Sequence, residues 1–155
     1  MRGISFGLRR ILLASIVVGV GSAASQNTAN QNIVLHVLNG KNGKPISREH
    51  LLIYLGTSAD DVRLGKKLVN LETDDSGLAT LSLGSNPESL IKVWVDHFKT
   101  LCQKDSPNKT NFSIQEILKT GLSTPNNCGK VKANPTPKHF FVFVRSYSFW
   151  EKLRS

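Results

Sequence analysis

The amino-acid sequence predicts an all-β protein, a small antiparallel β-sandwich of six to seven strands with one short helix in a disulfide-closed insertion. Three observations predict it. Short apolar runs rich in Leu, Ile and Val recur between clusters of Gly, Asn, Asp and Pro, which is the rhythm of stacked sheets. Cys102 and Cys128 bracket a stretch that interrupts this rhythm and carries helix signals. The N-terminus has the order of an export signal, and an exported chain reaches a compartment where two cysteines can pair.

The first residues read MRGISFGLRRILLASIVVGVGSAAS. Arg2, Arg9 and Arg10 precede an apolar run from Ile11 to Val20, and the small residues Gly21, Ser22, Ala23 and Ala24 follow. This is a signal peptide expected to be cut between Ala24 and Ser25, because Ser22 and Ala24 suit the small pockets of the peptidase. The run is shorter than the roughly 20 apolar residues that a helical span needs, so no stable membrane span is expected after processing. The Arg9–Arg10 pair points only weakly to twin-arginine export, since Leu8 stands where that motif prefers Ser or Thr. A secreted or periplasmic location in a bacterium follows.

Loss of residues 1–24 removes three arginines and no carboxylate, and lowers the formal charge from +9 to +6. The remaining lysines, among them Lys41, Lys66, Lys92, Lys119 and Lys132, are scattered without interleaved aromatics. Nucleic-acid grooves concentrate their charge, so nucleic acid is not an expected partner. What remains is enough chain for one domain with a core.

Residues 25–32 (SQNTANQN) are polar and aperiodic and read as a disordered leader, with the sandwich expected over residues 33–146. Ile33–Leu38 is the first strand, with Ile33, Leu35 and Val37 on one face. Asn39, Gly40, Asn42, Gly43 and Pro45 end it. Leu51–Leu55 is the second run and Lys67–Thr73 the third. Asp74, Asp75, Ser76 and Gly77 then predict a hairpin loop, with Leu78–Leu83 pairing back on the third strand. Leu90–Phe98 is a long fifth strand, and His139–Arg145 a sixth, aromatic enough to lie centrally in a sheet.

The insertion at residues 102–128 contains Ser113, Ile114, Gln115 and Glu116, the pattern of a capping box. Ile114, Ile117 and Leu118 make one apolar stripe, and Gly121 is expected to stop the helix in a Schellman arrangement with Leu122 closing on Ile117. The helix reads first as a surface lid over an open end of the core and second as a ligand-gating lid. A Cys102–Cys128 bond would constrain the unfolded chain by about 3.5 kcal/mol on the entropic account. Neither cysteine lies in a CxxC, and no His stands at ligand spacing from either.

Residues 147–155 form an aromatic tail in which Tyr147, Phe149 and Trp150 are candidate binding residues. Packing across the open end of the sandwich is the first reading of them and docking on a partner the second. Tyr54 and Trp94 are further candidate stacking platforms, although Trp94 between Val93 and Val95 reads as core.

Gly43, Lys44 and Pro45 after the first strand, the alternation of Leu51, Ile53 and Leu55, and Thr73, Asp74 and Gly77 together resemble carboxypeptidase regulatory-like and transthyretin-like domains. The resemblance covers residues 33–98 and implies an Ig-like or prealbumin-like sandwich. FSIQEILKTG, NNCGK and SFWEKL in the second half look like small exported bacterial proteins of the same architecture. Such a resemblance implies a binding or scaffolding module of the cell envelope, with an envelope protein or a glycan as partner, rather than an enzyme. The 5-hydroxyisourate hydrolases share the transthyretin fold, and His36, Val37, Leu38, Gly43 and Pro45 fit their opening pattern. Their C-terminal Tyr-Arg-Gly-Ser is missing here, since Arg145 and Ser146 lack the flanking Tyr and Gly. The first strand carries no lysine for an isopeptide bond of the collagen-adhesin kind, which leaves Glu72 as a solvent-facing residue.

Other constellations point to no chemistry. His36, His50, His97 and His139 stand at non-ligand spacings, although strands can bring two of them together. Asp60 with Asp61, and Asp74 with Asp75, are adjacent rather than spaced as in a calcium loop, and read as turn residues. Asp96 and His97 near Cys102 alternate along a strand and so face apart. Asn108 and Asn111 begin glycosylation sequons relevant only to a eukaryotic secretory route. No catalytic residue, metal ligand or cofactor is expected.

Overall fold

The computed structural model describes residues 31–85, 88–95, 99–103 and 110–153. The expected signal segment with its Ala24–Ser25 junction, most of the leader, Asp96–Phe98 and the Asn108 sequon lie outside the described residues.

Two sheets form a sandwich. The first contains β1 (Gln31–Asn39), β4 (Leu78–Leu83), β6 (Lys99–Leu101), β8 (Leu122–Ser123) and β9 (His139–Ser146). Its order is β4-β1-β9-β6, with β8 also on β9. The second sheet has the order β3-β2-β5-β7, from β2 (His50–Gly56), β3 (Lys67–Glu72), β5 (Leu90–Val95) and β7 (Phe112–Ser113). Six of these strands are the six apolar runs, and β6, β7 and β8 are two- or three-residue additions. β1 begins at Gln31 because Gln31 and Asn32 pair with Leu83 and Ser82, so order starts before Ile33.

Alternation explains the core. Ile33, Leu35 and Val37 of β1 are fully buried, as are Leu51 and Ile53 of β2 and Phe140, Val142 and Val144 of β9. Residues between them turn to the opposite face of each sheet, where Phe143 of β9 is nonetheless buried. β9 is interior to its sheet, as its aromatic content suggests, and runs parallel to β1 while pairing antiparallel with β6. The first sheet is therefore mixed, since the chain returns from the far end of the insertion before entering β9.

The Asp74–Gly77 loop differs from the expected hairpin. Asp74 accepts from the amides of Ser76 and Leu78 at 2.8 and 2.9 Å, and Gly77 has φ 73°. Yet β3 pairs with β2, and β4 pairs with β1, in opposite sheets. The turn reverses the chain while carrying it across the sandwich, so that Leu71 and Leu81 meet the core from its two sides. Turn chemistry fixes a reversal and leaves the choice of ladder to the strands' apolar faces.

A second difference is the helix α1 (Ala59–Leu64), where Asp60 and Asp61 were expected in a turn. Ser58 caps it by accepting from the Asp61 amide, and the Asp61 carboxylate accepts in return from the Ser58 amide. Hydrogen bonds from Lys66, Thr57 and Ser58 hold the Asp61 carboxyl well below the usual carboxylate range. Val62 is buried, and Gly65 closes the helix in the left-handed region.

The insertion carries α2 (Ile114–Thr120), with Ser113 accepting from the Glu116 amide as expected. Ile114 and Ile117 belong to the core cluster, and Phe112 lies 4.9 Å from Phe140 between ring centroids, so α2 closes one end of the sandwich. Gly121 ends the helix differently from the expected Schellman cap: at φ 77° and ψ 164° it sends the chain straight into β8 beside Phe140.

Cys102 and Cys128 form the disulfide, with Cα atoms 5.4 Å apart. Its position follows from β9. Toward one end of β9, the Cys102 amide donates to Phe143 O at 2.8 Å and β6 pairs onward. Toward the other, the Thr124 amide donates to Phe141 O at 2.8 Å, and the Thr124 hydroxyl accepts from the Phe143 amide. Both ends of the insertion thus lie along β9, and the disulfide fastens them together.

Candidate functional site

The C-terminal tail does not pack across the sandwich. It forms a single turn, α3 (Phe149–Lys152), on which Phe149 and Trp150 are each 68% exposed and Leu153 is 64% exposed. The two aromatic rings meet edge to face at 5.5 Å, the arrangement that ring quadrupoles prefer. Tyr147 is half-buried at the root of the tail. Three large apolar side chains are therefore presented together beside Lys152. Large apolar groups standing this far out of a fold gain nothing from solvent and lose surface only against a partner.

The outer face of the second sheet is a second aromatic surface. Val93 and Val95 are buried, which places Trp94 on the opposite face, half-exposed rather than in the core. Register sets Asn70, Leu52 and Trp94 in one row and Leu68, Tyr54 and Lys92 in the next. The Lys92 ammonium lies 5.2 Å from the Tyr54 ring centroid, within reach of a cation–π interaction. Gly65 at the end of α1 stands beside the same ring, and a Cβ there would lie 3.5 Å from Tyr54 Cε1. His50 and Glu72, 3.7 Å apart, border the face, and Glu72 is exposed as expected. Strand alternation assigns Trp94 and its two valine neighbours to opposite faces, and Val93 pairs with the inward Ile53, so Trp94 lies outside the core in contrast to the expectation.

The remaining chemistry-bearing residues fall apart or serve structure. Glu49 is buried at 2% exposure and pairs with Lys99 of β6, which ties the start of β2 to the first sheet. His36 and His139 are brought together from 103 residues apart, while His50 lies on the other sheet beside Glu72 and His97 lies outside the described residues. Among the described residues, no cluster of three or more His, Cys, Asp or Glu side chains is placed to hold a metal ion. No helix among them is long and apolar enough to cross a membrane. Asn111 leads into Phe112 and the Ser113 cap, so the second sequon sits against α2.

An open groove of about 470 Å³ lies beside α2, bordered by Gln31 of β1 and by Glu88, Ser89, Ile114 and Leu118. Glu88 faces Lys67 at 2.6 Å.

No family description, curated protein or solved structure matches this chain.

Proposed function

We propose that this protein is an exported, non-enzymatic β-sandwich module that binds an envelope partner through its C-terminal tail. The observation that carries the reading is the exposure of Phe149, Trp150 and Leu153 on α3. The disulfide agrees with an oxidising destination, which is what the N-terminal signal pattern implies. The carboxypeptidase regulatory-like and transthyretin-like resemblance points the same way, since such sandwiches serve as accessory modules.

The test is retention of envelope proteins by immobilised residues 25–155, compared with a Phe149→Ala/Trp150→Ala variant. The wild type should retain a defined partner and the variant should lose it. Because both side chains stand clear of the core, their removal should change stability by less than about 0.5 kcal/mol. Equal retention by both chains, or turnover in an unbiased hydrolase screen, would sink the proposal.

A second reading, glycan binding on the sheet face, is favoured by the outward placement of Trp94 beside Tyr54. Flat aromatic faces stack on the apolar faces of sugar rings. On a glycan array this reading expects binding that Trp94→Ala abolishes and Trp150→Ala leaves intact.

A further inference from the structure

We propose that His36 and His139 form a two-imidazole binding site for zinc(II) on the outer face of the first sheet. His36 lies on β1 and His139 opens β9, and the parallel register pairs Val34 with His139 and His36 with Phe141. The two histidines are therefore diagonal neighbours on one face. Their facing nitrogens, His36 Nε2 and His139 Nδ1, share a hydrogen bond of 2.7 Å. When zinc binds, the proton between them passes through water to the far nitrogen of the ring that carried it, which leaves a lone pair on each facing nitrogen.

The backbone beneath both rings is fixed. The β1–β9 ladder spans residues 34–39 and 139–144, and the Val34 amide donates to Lys138 O at 2.9 Å. Phe141 stacks on the His36 ring at 4.2 Å between centroids, with the planes 18° apart, and limits its rotation. Both rings are half-buried, so water reaches the pair from one side.

The donor set selects the ion. Imidazole nitrogen suits zinc, copper and nickel, whereas calcium and magnesium require oxygen ligands. Zinc–nitrogen bonds of about 2.0–2.1 Å at a tetrahedral angle place the two nitrogens roughly 3.3 Å apart. The pair must then open by about 0.6 Å, a movement that two side chains make without disturbing the ladder. Two protein donors leave the remaining positions to water or to a donor group on a bound partner.

The experiment is a zinc titration of residues 25–155 followed by nitrogen NMR of the histidine rings. One equivalent of zinc should shift His36 Nε2 and His139 Nδ1 together and leave His50 unmoved. In a His36→Asn variant the zinc-dependent shift at His139 should disappear, while backbone amide resonances away from the pair keep their positions. A His139 shift that persists in His36→Asn would show a lone surface imidazole and overturn the proposal. Absence of any shift at either ring up to millimolar zinc would overturn it as well.

Discussion

Replacing Cys102 and Cys128 together by serine will lower the stability of the domain by about 3.5 kcal/mol, the loop-closure value for a bridge of this length. The cysteines are 26 residues apart, and the stretch between them contains α2, whose Ile114 and Ile117 complete the core. In the unfolded chain the bond removes most arrangements of that stretch. In the folded chain it holds together two segments that lie along the same strand, β9.

The surroundings of the disulfide add to the expected loss. Gly40 lies so close that a Cβ there would come within 2.4 Å of Cys102 Sγ. Asn126 donates to Gly40 O at 2.8 Å and to Val131 O at 2.9 Å, and the Asn127 amide donates to Cys102 O at 2.7 Å. Freed of the bond, this loop has fewer constraints holding those groups in place. Guanidinium unfolding of the wild type and the double variant, each with and without reductant, measures the effect. Reductant should bring the wild type down to the variant and leave the variant unchanged. A double variant as stable as the oxidised wild type would refute the role assigned to the bond.

What could be read from the sequence divides along the range of the interactions involved. The strands were legible because alternation is local: Ile33, Leu35 and Val37 fall on one face whatever they pack against. The Ser113 cap and the cysteine pair were legible for similar reasons, one being a four-residue pattern and the other having a single possible partner. The Asp74–Gly77 loop was legible as a turn and not as a link between sheets. Nothing within residues 67–83 distinguishes a ladder of β3 on β4 from a crossing, since the deciding partners are β2 and β1. The Ser58–Asp61 capping box was present in the sequence, but its helix is six residues long and buries only Val62, too short for periodicity to register. The meeting of His36 and His139 depends on β1 lying parallel to β9, a pairing that no local pattern encodes.

Gly121→Ala is expected to destabilise the domain by about 2–4 kcal/mol, well above the usual cost of adding one methyl group. At φ 77° and ψ 164°, Gly121 occupies a region essentially closed to residues with a Cβ. The neighbours make it worse, because an added Cβ would lie 2.2 Å from the carbonyl oxygen of Thr136 and 2.7 Å from its nitrogen. These are backbone atoms of the segment leading into the turn before β9. They have little freedom, since the Lys138 amide donates to Ile117 O at 2.8 Å and the Gly121 amide donates to the same oxygen at 3.0 Å. Relief of the clash must therefore break the exit of α2 or shift the entry to β9. Gly84→Ala provides the comparison, because among the described residues no atom beyond its own chain neighbours lies within 4 Å of a Cβ there. That substitution should change stability by no more than about 0.5 kcal/mol. Thermal or denaturant unfolding of the two variants side by side distinguishes a site-specific requirement from a general response to alanine. Equal, small effects at both positions would show that Thr136 yields, and that α2 is joined to β9 less rigidly than their shared hydrogen bonds require.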